Sequence, residues 1–256
     1  MVVQPKPVPI VMLLLILCLF ISAACSQQHD TSSMIEMPGM DSSNTTIPAG
    51  HGFAESAAKR LADARVSEFN HHLTGFVLFL ASFFAFAEEP LAKRWSLVSY
   101  VWPMCFLAAG TFVLVFSDAE IWPLGPQTPW YALTHSLEDL QHKGFAVILL
   151  TLGFVEFQKV RGRFKGVLSV LFCAFVAISG AILLQFHVHG GDISTPDAME
   201  VMGHIQMQHR WFAAAGLGIA LTKGLAEITH KRRQVFNKTW PALLAILGIL
   251  LMAYKE

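Results

Sequence analysis

Six stretches of the chain are apolar without alternation, roughly residues 73–88, 97–116, 145–157, 167–186, 211–228 and 236–254. Most approach the ~20 residues that a helix needs to cross ~30 Å of hydrocarbon. Lipid offers no partner for backbone N–H and C=O groups, so a span is a helix or a barrel strand, and runs without a period of two select helices. Between residues 54 and 68 the pattern changes. Ala57, Ala58, Leu61, Ala62 and Val66 recur at helical spacing opposite Lys59, Arg60 and Asp63, which predicts an amphipathic helix along the membrane surface, leading into the first span. The predicted fold is an all-α integral membrane protein, a six-helix bundle over residues 69–256.

The polar residues at the helix ends recur as well. Asn70-His71-His72, Gln141-His142-Lys143 and Gln208-His209-Arg210 each precede a phenylalanine (Phe76, Phe145, Phe212) and an apolar run. The following helix of each unit carries a glycine, Gly110, Gly180 or Gly248, and the spacings from His72, His142 and His209 to these glycines are 38, 38 and 39 residues. A period near 70 predicts three helical hairpins in parallel orientation, with His72, His142 and His209 at one depth.

Ahead of the bundle, Lys6, the apolar run Val8 to Phe20 and Ile21-Ser22-Ala23-Ala24-Cys25 read as an export signal over residues 1–25, lipoprotein-like at Cys25, the alternative being an uncleaved anchor that forms a seventh helix. Residues 26–53 are rich in Ser, Thr, Gly and Pro and read as a flexible arm. Met34, Met37 and Met40 stand three apart in it, flanked by His29, Asp30, Glu36, Asp41 and His51. A methionine in a polar tail has no core to fill, and its thioether is a soft ligand suited to Cu(I).

Composition narrows the partners. The chain is 54% hydrophobic and 14% charged with zero net charge, which leaves no basic footprint for nucleic acid and makes the lipid bilayer its surroundings. Lys93 and Arg94, then Lys159, Arg161, Arg163 and Lys165, then Lys231, Arg232 and Arg233 occupy every second loop, while segments 117–138 and 187–207 hold no Lys or Arg. The basic loops are expected to be cytoplasmic. That places the arm, together with His71, His72, His135, His142, His187, His189, His204 and His209, at the outer face. Cys105 and Cys173 lie in apolar helices and read as small buried residues, not a disulfide framework.

Imidazoles on separate helices can converge on a metal in the folded bundle. The metal-ligand candidates are His71, His72, His142, His187, His189, His204 and His209 with Met34, Met37 and Met40. Ser136-Leu137-Glu138-Asp139 has the form of a capping box, which puts His142 just inside a helix. Thr195-Pro196-Asp197 reads as another helix start, so His204 and His209 share one helix with Glu200 and Met202. His187-Val188-His189 precedes Gly190-Gly191, where the chain can turn. The acids Glu88, Glu89, Glu156 and Glu227 fall about 21 to 27 Å from the leading histidines, too far to join them. Glu156 with Lys159, and Glu227 with Lys223 and His230, read as snorkelling pairs at the inner interface.

The His-His helix end, Leu140-Gln141-His142-Lys143, His187-Val188-His189-Gly190 and Gln208-His209, in that order over residues 69 to 230, resemble the copper-resistance D type of bacterial membrane protein. The resemblance implies copper tolerance or uptake at a bacterial cytoplasmic membrane, with the histidines acting on the periplasmic side. Members of that family usually have more spans, so what carries over is an outer copper role and not a transport path. One alternative is a b-type cytochrome, with haem on His72, His142, His187 or His209. The other is a membrane assembly partner without a prosthetic group. No nucleophile–base pattern, phosphate loop or HExxH motif occurs, so enzymatic activity has no support.

Overall fold

A computed structural model of the chain describes residues 57–118, 121, 124–164, 166–186, 196–229 and 232–256. Among them every regular element is helical: α1 (Ala57–Ala92), a 3-10 helix (Ser96–Tyr100), α2 (Val101–Phe116), the short α3 (Pro129–His135), α4 (Leu137–Val160), α5 (Val167–Phe186), α6 (Pro196–Ile228) and α7 (Arg233–Met252). Five segments are long and apolar enough to cross a membrane: Leu61–Ala92, Ser96–Phe116, Leu137–Val160, Met199–Ile228 and Arg233–Met252. Within α5 the apolar stretch Val170–Gly180 is shorter. These helices are apolar on both sides. On α1, Val77, Leu78, Ala81 and Ala85 are buried, while Phe76, Phe79, Phe83 and Phe86 on the opposite side are exposed. A bilayer accommodates such a surface and water does not, so the protein is a helical membrane protein.

Local signals explain most of the boundaries. Ser136 caps α4, its hydroxyl accepting from the Asp139 N–H at 3.2 Å. Proline opens α6, where its fixed φ suits the first turn and its missing N–H costs nothing. The far end of α4 closes on Gly162 at φ 71°. There the N–H groups of Gly162 and Arg163 donate to the carbonyls of Lys159 and Gln158 at 2.8 and 3.0 Å, a Schellman closure that needs a left-handed residue. One element differs from the sequence pattern. The amphipathic stretch and the first span form a single helix of 36 residues. No glycine or proline lies between Ala57 and Thr74, so nothing breaks the hydrogen-bond ladder where polar gives way to apolar.

Helix α1 packs along α7, α2 along α4, α5 along α6 and α6 along α7, with α1 also against α2. At three of these crossings a glycine meets the facing helix. A Cβ on Gly110 of α2 would lie 3.0 Å from the Ala146 carbonyl oxygen and 2.8 Å from the Leu150 nitrogen. On Gly180 of α5 it would lie 3.2 Å from the Ala213 carbonyl oxygen and 2.9 Å from Leu217 Cγ, and on Gly248 of α7, 2.8 Å from the Gly75 carbonyl oxygen and 2.9 Å from the Phe79 nitrogen. Small residues permit this close approach in a medium where hydrophobic burial does not drive helix association. The facing pairs, Ala146 and Leu150, Ala213 and Leu217, Gly75 and Phe79, stand four and eight residues after His142, His209 and His71. In this register the counterpart of His142 and His209 is His71, one position before His72.

Candidate functional site

The histidine end of the bundle is built around two imidazoles. Helices α1 and α6 bring His71 and His209 to 5.7 Å between ring centroids, with their planes at 85°. Nδ1 of His71 lies 2.8 Å from the Ser67 carbonyl oxygen, and Nδ1 of His209 lies 2.9 Å from that of Ile205. A carbonyl only accepts, so each Nδ1 carries the proton and donates, and in the neutral ring Nε2 holds the lone pair. A bond of this kind orients a ring before any ligand arrives, as partners of metal-bound histidines do. Tyr254 is fully buried and stacks on His71 at 4.0 Å, while Phe212 stands 5.2 Å from His209. Burial, and after it the charge of Glu256, push the Tyr254 hydroxyl above its ordinary value. The phenol is therefore neutral at physiological pH, and it donates to Glu256 Oε2 at 3.3 Å.

The neighbours of the leading histidines serve as caps. Nε2 of His72 donates to the Tyr254 carbonyl at 2.9 Å, just past the end of α7. Lys143, which follows His142, does the equivalent for α2, with Nζ 2.9 Å from the Leu114 carbonyl and 3.0 Å from Ser117 Oγ. Donors placed there satisfy carbonyls that the helix leaves open. Asn70 donates to the Phe116 carbonyl at 2.9 Å, and Gln208 donates to the Lys255 carbonyl at 2.7 Å while accepting from the Lys255 N–H at 3.0 Å. His142 is engaged differently. Its Nδ1 lies 3.3 Å from Asp118 Oδ1, and Lys143 Nζ lies 3.0 Å from Oδ2 of the same carboxylate. Burial alone would raise Asp118, but the hydrogen bond and charge of His142, with Ser117 and Lys143, hold it well below the usual carboxylate range.

Of the remaining candidates, His204 is exposed and lines an open groove with Glu200, Gly203, Met207, Lys255 and Glu256. His135 is exposed and stacks on Tyr131 at 4.2 Å. His187, His189, Met34, Met37 and Met40 lie outside the described residues. Among the described residues no group of three or more His, Cys, Asp or Glu side chains is arranged to hold a metal ion. Thus the structure joins His71 to His209 and gives His72 and His142 other partners. The Tyr254 and Phe212 rings lie against both imidazoles.

At the opposite end, the acids and lysines that read as local pairs form one network across α4 and α6. Lys159 bonds Glu156 of its own helix at 2.8 Å and also reaches Glu227. Three buried aromatic residues, Trp102, Phe172 and Trp240, border it. Sequence reasoning passes over these rings, yet Trp102, Phe172 and Trp240 each precede Gly110, Gly180 and Gly248 by eight residues. Comparison of the chain with protein-family models, with curated proteins and with solved structures gives no match.

Proposed function

We propose that the protein handles copper at a bacterial cytoplasmic membrane, holding it at the periplasmic end of a bundle made of three hairpins, α1–α2, α4–α5 and α6–α7, closed in a ring. The observation that carries this reading is the meeting of His71 and His209 from two helices, each with its proton held on Nδ1 by a carbonyl. Two imidazole Nε2 atoms suit the low coordination number of Cu(I), and soft thioether donors complete such a site. Met34, Met37 and Met40 of the arm supply that chemistry from the sequence, as do His204 and Met207, which share the groove at the outer end of α6. His187 and His189, which follow Phe186 in the sequence, add two more imidazoles to the candidate donors. The ring is supported by the shared register of the three glycine crossings, in which the second helix of each hairpin meets the first helix of the next. The basic loops at the other end favour a cytoplasmic location for that end, and the resemblance to the copper-resistance D type favours copper over other soft ions.

Metal analysis and an absorption spectrum of the purified protein under reducing conditions test the reading. Colourless protein with stoichiometric copper is the expected result, because Cu(I) has a filled d shell. The pair of substitutions His71→Ala and His209→Ala removes most of that copper, whereas His142→Ala retains it. Stoichiometric iron with a cytochrome spectrum would overturn the proposal, as would full copper retention in the double variant.

A further inference from the structure

Each of the six long helices delivers a side chain to one cluster at the end away from the histidines. The Nζ of Lys223 on α6 lies 5.4 Å from the ring centroid of Trp102 on α2, 5.7 Å from that of Phe172 on α5 and 4.8 Å from that of Trp240 on α7. It also lies 3.7 Å from Glu156 Oε2 on α4 and 3.6 Å from Glu227 Oε1 one turn along its own helix. Lys159 holds both of those carboxylates. Trp102 donates its indole N–H to Glu88 Oε2 of α1 at 3.1 Å. Trp102, Phe172, Trp240 and Glu156 are 3, 2, 4 and 3% exposed, so the cluster is interior.

A lysine five residues from the end of a membrane helix can usually extend its stem and place its ammonium in water. Lys223 does otherwise, and its side chain is 11% exposed. Three aromatic faces and two carboxylates around one point are the components of a seat for a small monovalent cation, since aromatic faces attract cations most strongly when water is absent. The three rings occupy equivalent places, eight residues before Gly110, Gly180 and Gly248. Two of the polar members stand at equivalent places as well: Glu156 and Lys223 follow His142 and His209 by fourteen residues, where the buried Ala85 follows His71. Fourteen helical residues span ~21 Å, so the cluster lies most of a bilayer below the imidazoles.

We propose that this is a cation seat kept filled by the ammonium of Lys223, and that it closes the centre of the bundle to mobile cations. An ion moving along the bundle has to displace an ammonium that its own stem prevents from leaving, from a place where rings and carboxylates replace its water. A cation held at the histidine end is therefore not passed through this chain. The inference does not depend on which metal the histidines take.

Full-length protein reconstituted in liposomes provides the test, with potassium and methylammonium as the probe cations. Wild-type vesicles pass both at the rate of protein-free vesicles, and Lys223→Arg, which keeps a cation in the seat, does the same. Lys223→Ala leaves the three faces without their occupant and the two carboxylates with Lys159 alone, and speeds methylammonium entry by about tenfold or more. Lys223→Met keeps the length of the stem without its charge and gives the same gain if the alanine variant fails to fold. Wild-type vesicles that conduct either cation overturn the proposal outright, and so does a correctly reconstituted alanine or methionine variant as tight as wild type.

Discussion

The approach of α1 to α7 gives a direct test of how the bundle closes. Gly248→Ala places a methyl group 2.8 Å from the Gly75 carbonyl oxygen and 2.9 Å from the Phe79 nitrogen. Both are backbone atoms of a helix, so no side chain can swing aside to make room. Since ordinary contact begins at 3.4 Å, the two helices must part by roughly 0.5 Å and lose dispersion along the whole crossing. Overpacking of this kind costs about 1–3 kcal/mol, against which alanine in place of helical glycine returns at most about 1 kcal/mol. The net expectation is a loss of about 1–2 kcal/mol. Gly144→Ala and Gly203→Ala serve as controls, because an added Cβ meets nothing within 4 Å at either site. They should gain about 0.5–1 kcal/mol. Unfolding in mixed micelles by increasing sodium dodecyl sulfate, followed by circular dichroism, reads both signs. If Gly248→Ala matched the controls, the α1–α7 contact would be looser than described, and the hairpin register built on it would fall.

Two other substitutions follow from the charged groups. Asp118 titrates below its unfolded value near ~3.9, so its contribution is complete above that pH and is lost as pH falls through the lower folded value; Asp118→Asn should be destabilised evenly from pH 7 to about pH 4, with the gap to wild type closing only below that, whereas a gap that shrinks as pH rises from 5 to 7 would assign the effect to the charge on His142. Glu156→Ala leaves Lys159 and Lys223 with Glu227 alone inside the bundle and should cost about 3 kcal/mol in the same micelle titration; a cost under about 1 kcal/mol would class the network with exposed ion pairs.

Features written in local order are legible in the sequence. The apolar runs give the helices, the Ser136 hydroxyl gives the start of α4, and Pro196 gives the start of α6. The choice between His71 and His72 is not written that way. One residue turns a side chain by about 100° around a helix, and spacings of 38 and 39 residues to the glycines leave that turn undecided. Only the contact of Gly248 with Gly75 and Phe79 resolves it, and that contact joins opposite ends of the chain. The same holds for Lys159. Its spacing to Glu156 is visible on one helix, but its reach to Glu227 depends on how α4 faces α6. Tyr254 stands six residues after Gly248, as Phe116 and Phe186 do after Gly110 and Gly180, but that spacing carries no sign that the fold stacks it on His71.

Because α7 closes on α1, the protein has a schedule as well as a shape. Helix α1 is the earliest made of the described helices, and the glycine that fills the groove at Gly75 and Phe79 belongs to the last. Throughout synthesis of the intervening helices that groove stays without its partner, and the contact that completes the bundle is also the one most remote in sequence, the kind that forms late and leaves surfaces exposed in the meantime. A chain interrupted before α7 is thus unfinished at its beginning: α1, beside His71, is left without the helix it packs along.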